Sequence, residues 1–195
     1  MRRTPLPGKI PTRLLLEEWV AQFPLPVRQL RREEMRADPE DGARQVIAIK
    51  LTMGVEAMID IEDSLIISGR NWFAVKSRGQ FYAHCRMGTF QVSMHRLILG
   101  FPDGLADHKN GNGLDNRRSN IRIASSAQNA RNQRKRAGVS KYKGVAYGDN
   151  AWIAGIYVDN RRMHLGCFQN ERDAAEAYNT AAKKYYGEFA RLNTL

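Results

Sequence analysis

Apolar and polar positions alternate with a period of two through Val46-Ile-Ala-Ile-Lys-Leu51. Further apolar clusters follow at Ile59, Ile61, Leu65–Ile67 and Trp72-Phe73, punctuated by Gly54, Gly69, Gly79 and Gly88. Alternation bounded by glycine turns predicts strands, so residues 45–100 read as a strand-rich scaffold.

A second block of short strands is predicted at Tyr142–Tyr147, Trp152–Val158 and Arg162–Phe168, with Gly148-Asp149-Asn150 and Asp159-Asn160 as the turns. The period then changes to that of a helix over Glu171–Tyr186. Asn170 can cap this helix, Glu171 and Asp173 suit its positive first turn, Lys183 and Lys184 its negative last turn, and Gly187 ends it. Ala174, Ala177, Tyr178, Ala181 and Tyr185 form one stripe, narrow enough for the helix to lie close on a sheet as core. If Trp152, Ala154, Ile156, Met163, Leu165 and Cys167 face the helix, then Tyr157, Arg162 and His164 project from the opposite face. Joined by Lys143, they would make a surface suited to a DNA major groove, which admits strands as well as helices.

Between these blocks, Gly104-Leu-Ala-Asp-His108 reads as a short strand and Lys109–Asn120 as a loop marked by the turn dipeptides Asn110-Gly111 and Asn112-Gly113. Ile121–Ala124 reads as a second strand, and Ser125 or Ser126 caps a helix carrying Asn129. Asp107 and His108 pair a hard anionic ligand with a base, and Asn120 and Asn129 lie twelve and twenty-one residues beyond His108. Neighbouring strand residues point to opposite sides. Asp107 is therefore expected to face a metal shared with Asn129, and His108 an attacking water. His95, beside Leu97-Ile98-Leu99, reads as a structural or loop-bracing histidine, and His84 has only its strand context.

With Met94-His-Arg96 upstream and Leu114-Asp-Asn-Arg-Arg-Ser-Asn120 inside it, this stretch resembles the HNH endonucleases of phages and introns over about residues 46–132. The resemblance implies a ββα-metal core with His108 as general base, Asp107 and Asn129 as metal ligands, and Asn120 as the central Asn bracing the loop and His108. Asn at the last position matches the H-N-N branch. A carboxylate and an amide oxygen suit Mg²⁺, or another divalent cation such as Mn²⁺, with water and phosphate oxygens completing the shell. An imidazole with a pKa of about 6.5 is largely able to accept a proton at neutral pH.

Charge points the same way. The 195 residues carry 31 Lys and Arg against 20 Asp and Glu, a formal net charge of +11, which favours a polyanionic partner. From Asn116 to Lys143 there are nine basic residues and no acidic one. Among them Arg117, Arg118, Arg131, Arg134, Lys135, Arg136 and Lys143 are expected to meet backbone phosphates. No apolar stretch approaches the roughly 18–20 residues that span a bilayer, and Met1-Arg2-Arg3 is followed by Pro and Lys rather than an apolar signal core. Cys85 and Cys167 sit in no Cys-x-x-Cys pair, which disfavours a zinc ribbon or a disulfide scaffold. A cytoplasmic setting is expected, that of a bacterial host if the chain is phage-encoded, and nothing in the sequence indicates a protein partner or a membrane.

Residues 140–195 also carry Ser140-Lys-Tyr-Lys-Gly-Val145, Arg162-Met-His-Leu-Gly-Cys-Phe168, Asp173-Ala-Ala-Glu-Ala-Tyr178 and Ala190-Arg-Leu-Asn193. These resemble the AP2 (ERF-type) DNA-binding domain, whose three-stranded sheet enters the major groove. The resemblance makes Lys143, Tyr157, Arg162 and His164 the matching base- or backbone-contacting candidates. Lys143 stands for the usual Arg, His164 for Trp, and Gly155 and Tyr157 for Glu and Arg, so DNA binding carries over and sequence preference does not.

The expected organisation is α+β. A segment 1–44 of unassigned role, with a short helix near Thr12–Val20 and basic Arg28, Arg31 and Arg32, precedes an HNH nuclease domain at 45–132. A basic linker at 133–139 leads to an AP2-type domain at 140–195, the composition shift marking a division at 131–140. The expected activity is a metal-dependent, homing-type endonuclease acting on double-stranded DNA. The alternatives are a non-catalytic AP2-type transcription regulator on the same scaffold and a protein directed at RNA, since phosphate contacts do not separate the two nucleic acids.

Overall fold

A computed structural model describes residues 35–37, 45–135 and 137–195. The expectations for Thr12–Val20, for Arg28, Arg31 and Arg32, and for Arg136 lie outside the described residues. The fold is α+β, rich in small sheets and with few helices. It divides into two compact units, one ending at Ile123 and the other running from Ala124 to Leu195.

In the first unit, β1 (Met35–Ala37), β2 (Gln45–Lys50) and β3 (Glu56–Asp60) form one antiparallel sheet. A second antiparallel sheet comprises β4 (Trp72–Ser77), β5 (Gln80–Met87) and β6 (Phe90–Ser93). Arg78 and Gly79 both have positive φ, 49° and 77°, as a two-residue hairpin turn matched to strand twist requires. One-turn helices α1 (Ser64–Ile67) and α2 (Met94–Ile98) close the ends of the sheets. The core is Ile47, Ile59, Ile67, Cys85, Met94 and their neighbours, all essentially solvent-free. The alternation read at 46–51 therefore supplies an inner face. β7 (Leu105–His108) and β8 (Ile121–Ala124) form a separate two-stranded sheet.

The second unit opens with α3 (Ser126–Asn132), whose N-cap Ser125 makes a full capping box with Gln128. Next come β9 (Val145–Gly148), β10 (Ala151–Val158) and β11 (Arg161–Phe168) in the order β11-β10-β9, followed by α4 (Glu171–Tyr186). Asp149-Asn150 and Asp159-Asn160 turn the two hairpins, all four residues with positive φ, which Asn and Asp tolerate better than most side chains. The Asn170 side chain accepts from the Asp173 N–H at 2.9 Å, and Gly187 ends the helix.

Two details differ from the sequence reading. The buried stripe of α4 is Ala174, Ala175, Tyr178, Ala181, Ala182 and Tyr186, while Tyr185 is half-buried. The stripe leans one residue further because the Tyr186 hydroxyl donates to the Tyr157 carbonyl at 2.6 Å. A β-bulge in β11 opposite Ala154/Gly155 makes Leu165 an extra residue: Ala154 pairs with Gly166, but Gly155 with His164. A bulge shifts the alternation by one. Phe168 thus takes the place on the helix side expected for Cys167, which is exposed with its sulfur 3.8 Å from His164 Nε2.

Gly144 sits where no other residue fits. Its φ is +75°, and a Cβ there would lie 1.9 Å from the Tyr178 ring.

Candidate active site and nucleic-acid interface

Asp107 and His108 are adjacent on β7 and both buried. Asp107 Oδ2 accepts from Arg122 Nε at 3.1 Å and from a terminal guanidinium nitrogen at 2.9 Å, across the β7-β8 sheet. Both partners of this ion pair are about nine-tenths enclosed, so the contact is shielded from solvent.

The His108 ring has different neighbours. Its Nε2 lies 3.2 Å from Asn116 Oδ1, and the ring packs T-shaped with His95 at a centroid distance of 4.7 Å, with Tyr82 at 6.0 Å. Burial is the main influence on the imidazole pKa and lowers it, against the opposing pull of the Asn116 bond and the charges of Asp107 and Asp115. His95 is pushed down to about 3, first by burial and then by His108, His84 and Arg96. Both rings are thus neutral near pH 7, His108 as a proton acceptor in waiting and His95 as an uncharged wall. The neighbouring Arg96 ties down the approach to β7 by donating to the Pro102 and Gly104 carbonyls at 3.0 and 3.1 Å.

The loop between β7 and β8 is held from two directions. Asn120 spans it from inside: its Oδ1 accepts from the Asn110 N–H at 3.0 Å and its Nδ2 donates to the Asp115 carbonyl at 2.7 Å. From outside, Met58 on β3 donates to the Leu114 carbonyl and accepts from the Asn116 N–H, both at 2.8 Å. The Arg118 N–H reaches Asp60 at 2.7 Å, and the Arg118 guanidinium grips the buried Asp63 carboxylate at 2.6–3.1 Å. The strand-rich flank therefore holds the loop that holds His108. Asn120 acts on the loop, and Asn116 lies within hydrogen-bond distance of the His108 ring. Sequence reasoning did not single out Asn116, although it lay inside the motif. Its signal is position alone, as an Asn between a buried Asp and a buried Arg.

Several basic residues expected on phosphate are otherwise engaged. Arg117 is buried, its Nε and one terminal nitrogen each 2.8 Å from the Asp115 carboxylate. Although burial alone would raise the Asp115 pKa, bonds from Arg117 and Asn110 hold it below the usual carboxylate range. Arg118 remains half-exposed while paired to Asp63. In the second unit the Arg131 guanidinium stacks 4.9 Å from the centre of the Tyr186 ring. Lys135 Nζ donates to the Ser140 carbonyl. Lys143 Nζ donates to the carbonyls of Arg131 and Gln133, the latter at 2.7 Å, and burial, with Arg191 second, lowers its pKa to about 8. Lys143 thus closes the C-terminal end of α3 instead of pointing outward from the sheet. Arg134 is exposed.

Asn129 lies on α3, part-buried, its N–H bonded to the Ser125 carbonyl at 2.9 Å. On the outer face of the C-terminal sheet, Tyr157, Arg162 and His164 are all exposed. Tyr157 is the cross-strand neighbour of Arg162, and Gly155 that of His164. Gly155 leaves room for Arg162, whose Nε would lie 3.2 Å from a Cβ at that position.

Among the described residues no three His, Cys, Asp or Glu side chains gather into a metal cluster. The Asp107 carboxylate is by its chemistry a donor that a hard ion such as Mg²⁺ accepts, with water completing the shell. No described helix is long and apolar enough to cross a membrane.

Comparison with known proteins gives two kinds of relative. Over 150 residues the chain is 28% identical to an uncharacterized HNH endonuclease, L560, of Acanthamoeba polyphaga mimivirus, covering 73% of this chain and 76% of the viral protein. Over 55 residues it is 47% identical to the dehydration-responsive element-binding protein 2D of Arabidopsis thaliana, covering 27% of each protein. Over the same length it is 42% identical to the Arabidopsis AP2/ERF and B3 domain-containing transcription repressor TEM1, covering 28% of this chain and 15% of that protein. No protein-family profile matches the chain. The relatives support a nuclease of the HNH kind and a DNA-binding segment similar to AP2/ERF proteins.

Proposed function

We propose that the protein is a metal-dependent endonuclease of duplex DNA, homing-type as its resemblances imply, and targeted by its C-terminal sheet. The observation that carries this reading is the pairing on β7 of a carboxylate with a buried, neutral histidine, each ordered by its own side-chain partner. In this reading His108 takes a proton from water as the water oxygen bonds to phosphorus. The bond from phosphorus to the 3′ oxygen breaks, leaving a 5′-phosphate and, after protonation, a 3′-hydroxyl. Asp107 and Asn129 would hold Mg²⁺ or a similar ion, which when bound supplies positive charge to the phosphate and the departing oxygen. Tyr157, Arg162 and His164 would face the major groove, with Arg134 and the exposed part of Arg118 near the backbone. One such site nicks a single strand per visit.

A second reading has one observation in its favour. The Arg122 fork already neutralises Asp107, as it would in a DNA-binding regulator that keeps the scaffold without the chemistry. Incubating the protein with supercoiled plasmid, in Mg²⁺ or in EDTA and beside His108→Ala, separates the two. Mg²⁺-dependent nicking or linearisation that His108→Ala lacks, with DNA affinity retained, is the expected result. Binding without cleavage would establish the regulator.

A further inference from the structure

We propose that a cleft at the end of the β4-β5-β6 sheet binds the phosphate of a nucleotide, free or at the end of a strand, with Arg70 and Arg86 on the phosphate and Phe73 against the base. None of its lining residues belongs to the site on β7, and the proposal does not depend on the nuclease reading. The cavity measures about 420 Å³, within the range of small-ligand clefts, about 300–1,000 Å³. It lies where the chain enters β4 and leaves β5, between Gly69-Arg70-Asn71 on one side and Arg86 and Gly88 on the other. The ladder explains the lining. Phe73 pairs with His84, and Arg86 lies two residues beyond His84, so Phe73 and Arg86 stem from one face of the sheet. Trp72 and Cys85, also paired, turn the other way into the core. At Gly88 a Cβ would meet nothing within 4 Å, so the mouth is open on that side.

The charge of the cleft is uncompensated. Arg117, Arg118 and Arg122 each close on a carboxylate, whereas among the described residues Arg70 and Arg86 have no acidic partner, and no carboxylate lines the cavity. Arg70 Nε is enclosed without a hydrogen-bond partner among the described residues, and a buried donor is costly to leave unmade. Burial is the main influence on the Arg70 guanidinium and lowers its pKa, opposed by the Cys85 thiol. An anion seated on the guanidinium supplies both the acceptor and the counter-charge. Two such forks suit a phosphomonoester, which carries close to two negative charges at neutral pH, better than they suit a carboxylate with one. The exposed Asn71 amide adds donors at the rim. The half-buried Phe73 offers an aromatic face on which any base can stack.

The test is calorimetric titration of the full chain in EDTA, where metal-dependent cleavage does not intrude. The probes are inorganic phosphate, deoxyadenosine, deoxyadenosine 5′-monophosphate, and a trinucleotide bearing either a 5′-phosphate or a 5′-hydroxyl. The expected result is saturable binding of the monophosphate, tighter than that of inorganic phosphate or of deoxyadenosine. Arg70→Gln and Arg86→Gln should each weaken it by about tenfold or more. Phe73→Leu should weaken the nucleotide by about fivefold or more and leave inorganic phosphate unchanged. Arg78→Gln removes the same charge from the exposed turn at the other end of the β4-β5 hairpin and should change nothing. Tighter binding of the 5′-phosphorylated trinucleotide than of its 5′-hydroxyl form assigns a strand end as the ligand; equal binding of the two assigns the free nucleotide. The proposal is overturned if neither the monophosphate nor the phosphorylated trinucleotide binds saturably, if deoxyadenosine binds as tightly as its monophosphate, or if Arg78→Gln costs as much as Arg70→Gln. Arg86 is exposed, so its variant decides even where Arg70→Gln does not fold. A chain that binds the nucleotide here but cuts no DNA would remove the nuclease reading alone.

Discussion

Arg117 separates a structural from a DNA-contacting reading most cleanly, because the two assign opposite consequences to the same substitution. The Arg117 and Asp115 side chains are 4% and 5% exposed, and both hydrogen bonds of their fork are 2.8 Å. Removing one partner of such a pair leaves an uncompensated buried charge and costs about 3–5 kcal/mol. Set against a total of about 5–15 kcal/mol for a small domain, that is a large fraction. At about 4–8 °C per kcal/mol for 60–100 residues and about 2–4 °C for 150–250, Arg117→Met in the unit ending at Ile123 should lower Tm by roughly 6 °C or more. Pairing it with Asp115→Asn, which keeps an acceptor for Asn110, should recover a coupling of about 0.5–3 kcal/mol. The sign of the acid response follows from the depressed Asp115 pKa. The contribution is complete above the ordinary value of 3.8 and is lost as pH falls through the folded value, so the wild type should weaken in acid more than the double variant. Urea and thermal unfolding of the four proteins, with duplex affinity measured across a salt series, completes the assay. A surface arginine on phosphate would behave otherwise, with stability within about 0.5 kcal/mol of wild type and a salt slope reduced by about 0.9. That pair of results would refute the buried-pair argument.

Two further outcomes are expected. Arg162→Ala should weaken duplex binding by about 1–3 kcal/mol if the guanidinium reads a base, while leaving the melting temperature unchanged because the side chain is exposed; equal affinity by fluorescence anisotropy at matched salt would make the outer face merely soluble. Gly144→Ala places a Cβ 1.9 Å from Tyr178 at a φ of +75°. Left-handed backbone costs about 1–2 kcal/mol and overpacking about 1–3 kcal/mol, so calorimetry should show a much less stable second unit, and an unchanged transition would contradict the packing described.

What the sequence made legible was local. The cap at Asn170, the charges at both ends of α4, the stop at Gly187 and the turns at Asp149-Asn150 and Asp159-Asn160 all depend on neighbours a few residues away, and all stand where they were read. The ββα order around Asp107 and His108 was legible for the same reason. What escaped needed distant partners. The acceptor for Arg118 lies 55 residues upstream at Asp63, and the strand that grips Leu114 and Asn116 is β3. In one dimension a run of arginines without acids reads as a phosphate surface; in three, Arg117 and Arg122 each close on a buried carboxylate. The bulge at Leu165 was hidden because one extra residue leaves the composition of a strand unchanged while reversing which of its side chains face the helix.

The two hydrogen bonds from Met58 to the loop also set the smallest piece that could be moved into another protein. A cassette cut at Leu105 would carry Asp107 and His108 but leave behind the backbone rail on which Asn116 is hung. Grafts should therefore begin upstream of Glu56. On the proposed reading, libraries built to retarget the protein would vary the outer face of β10 and β11 and leave residues 56–60 alone, because that strand holds the loop.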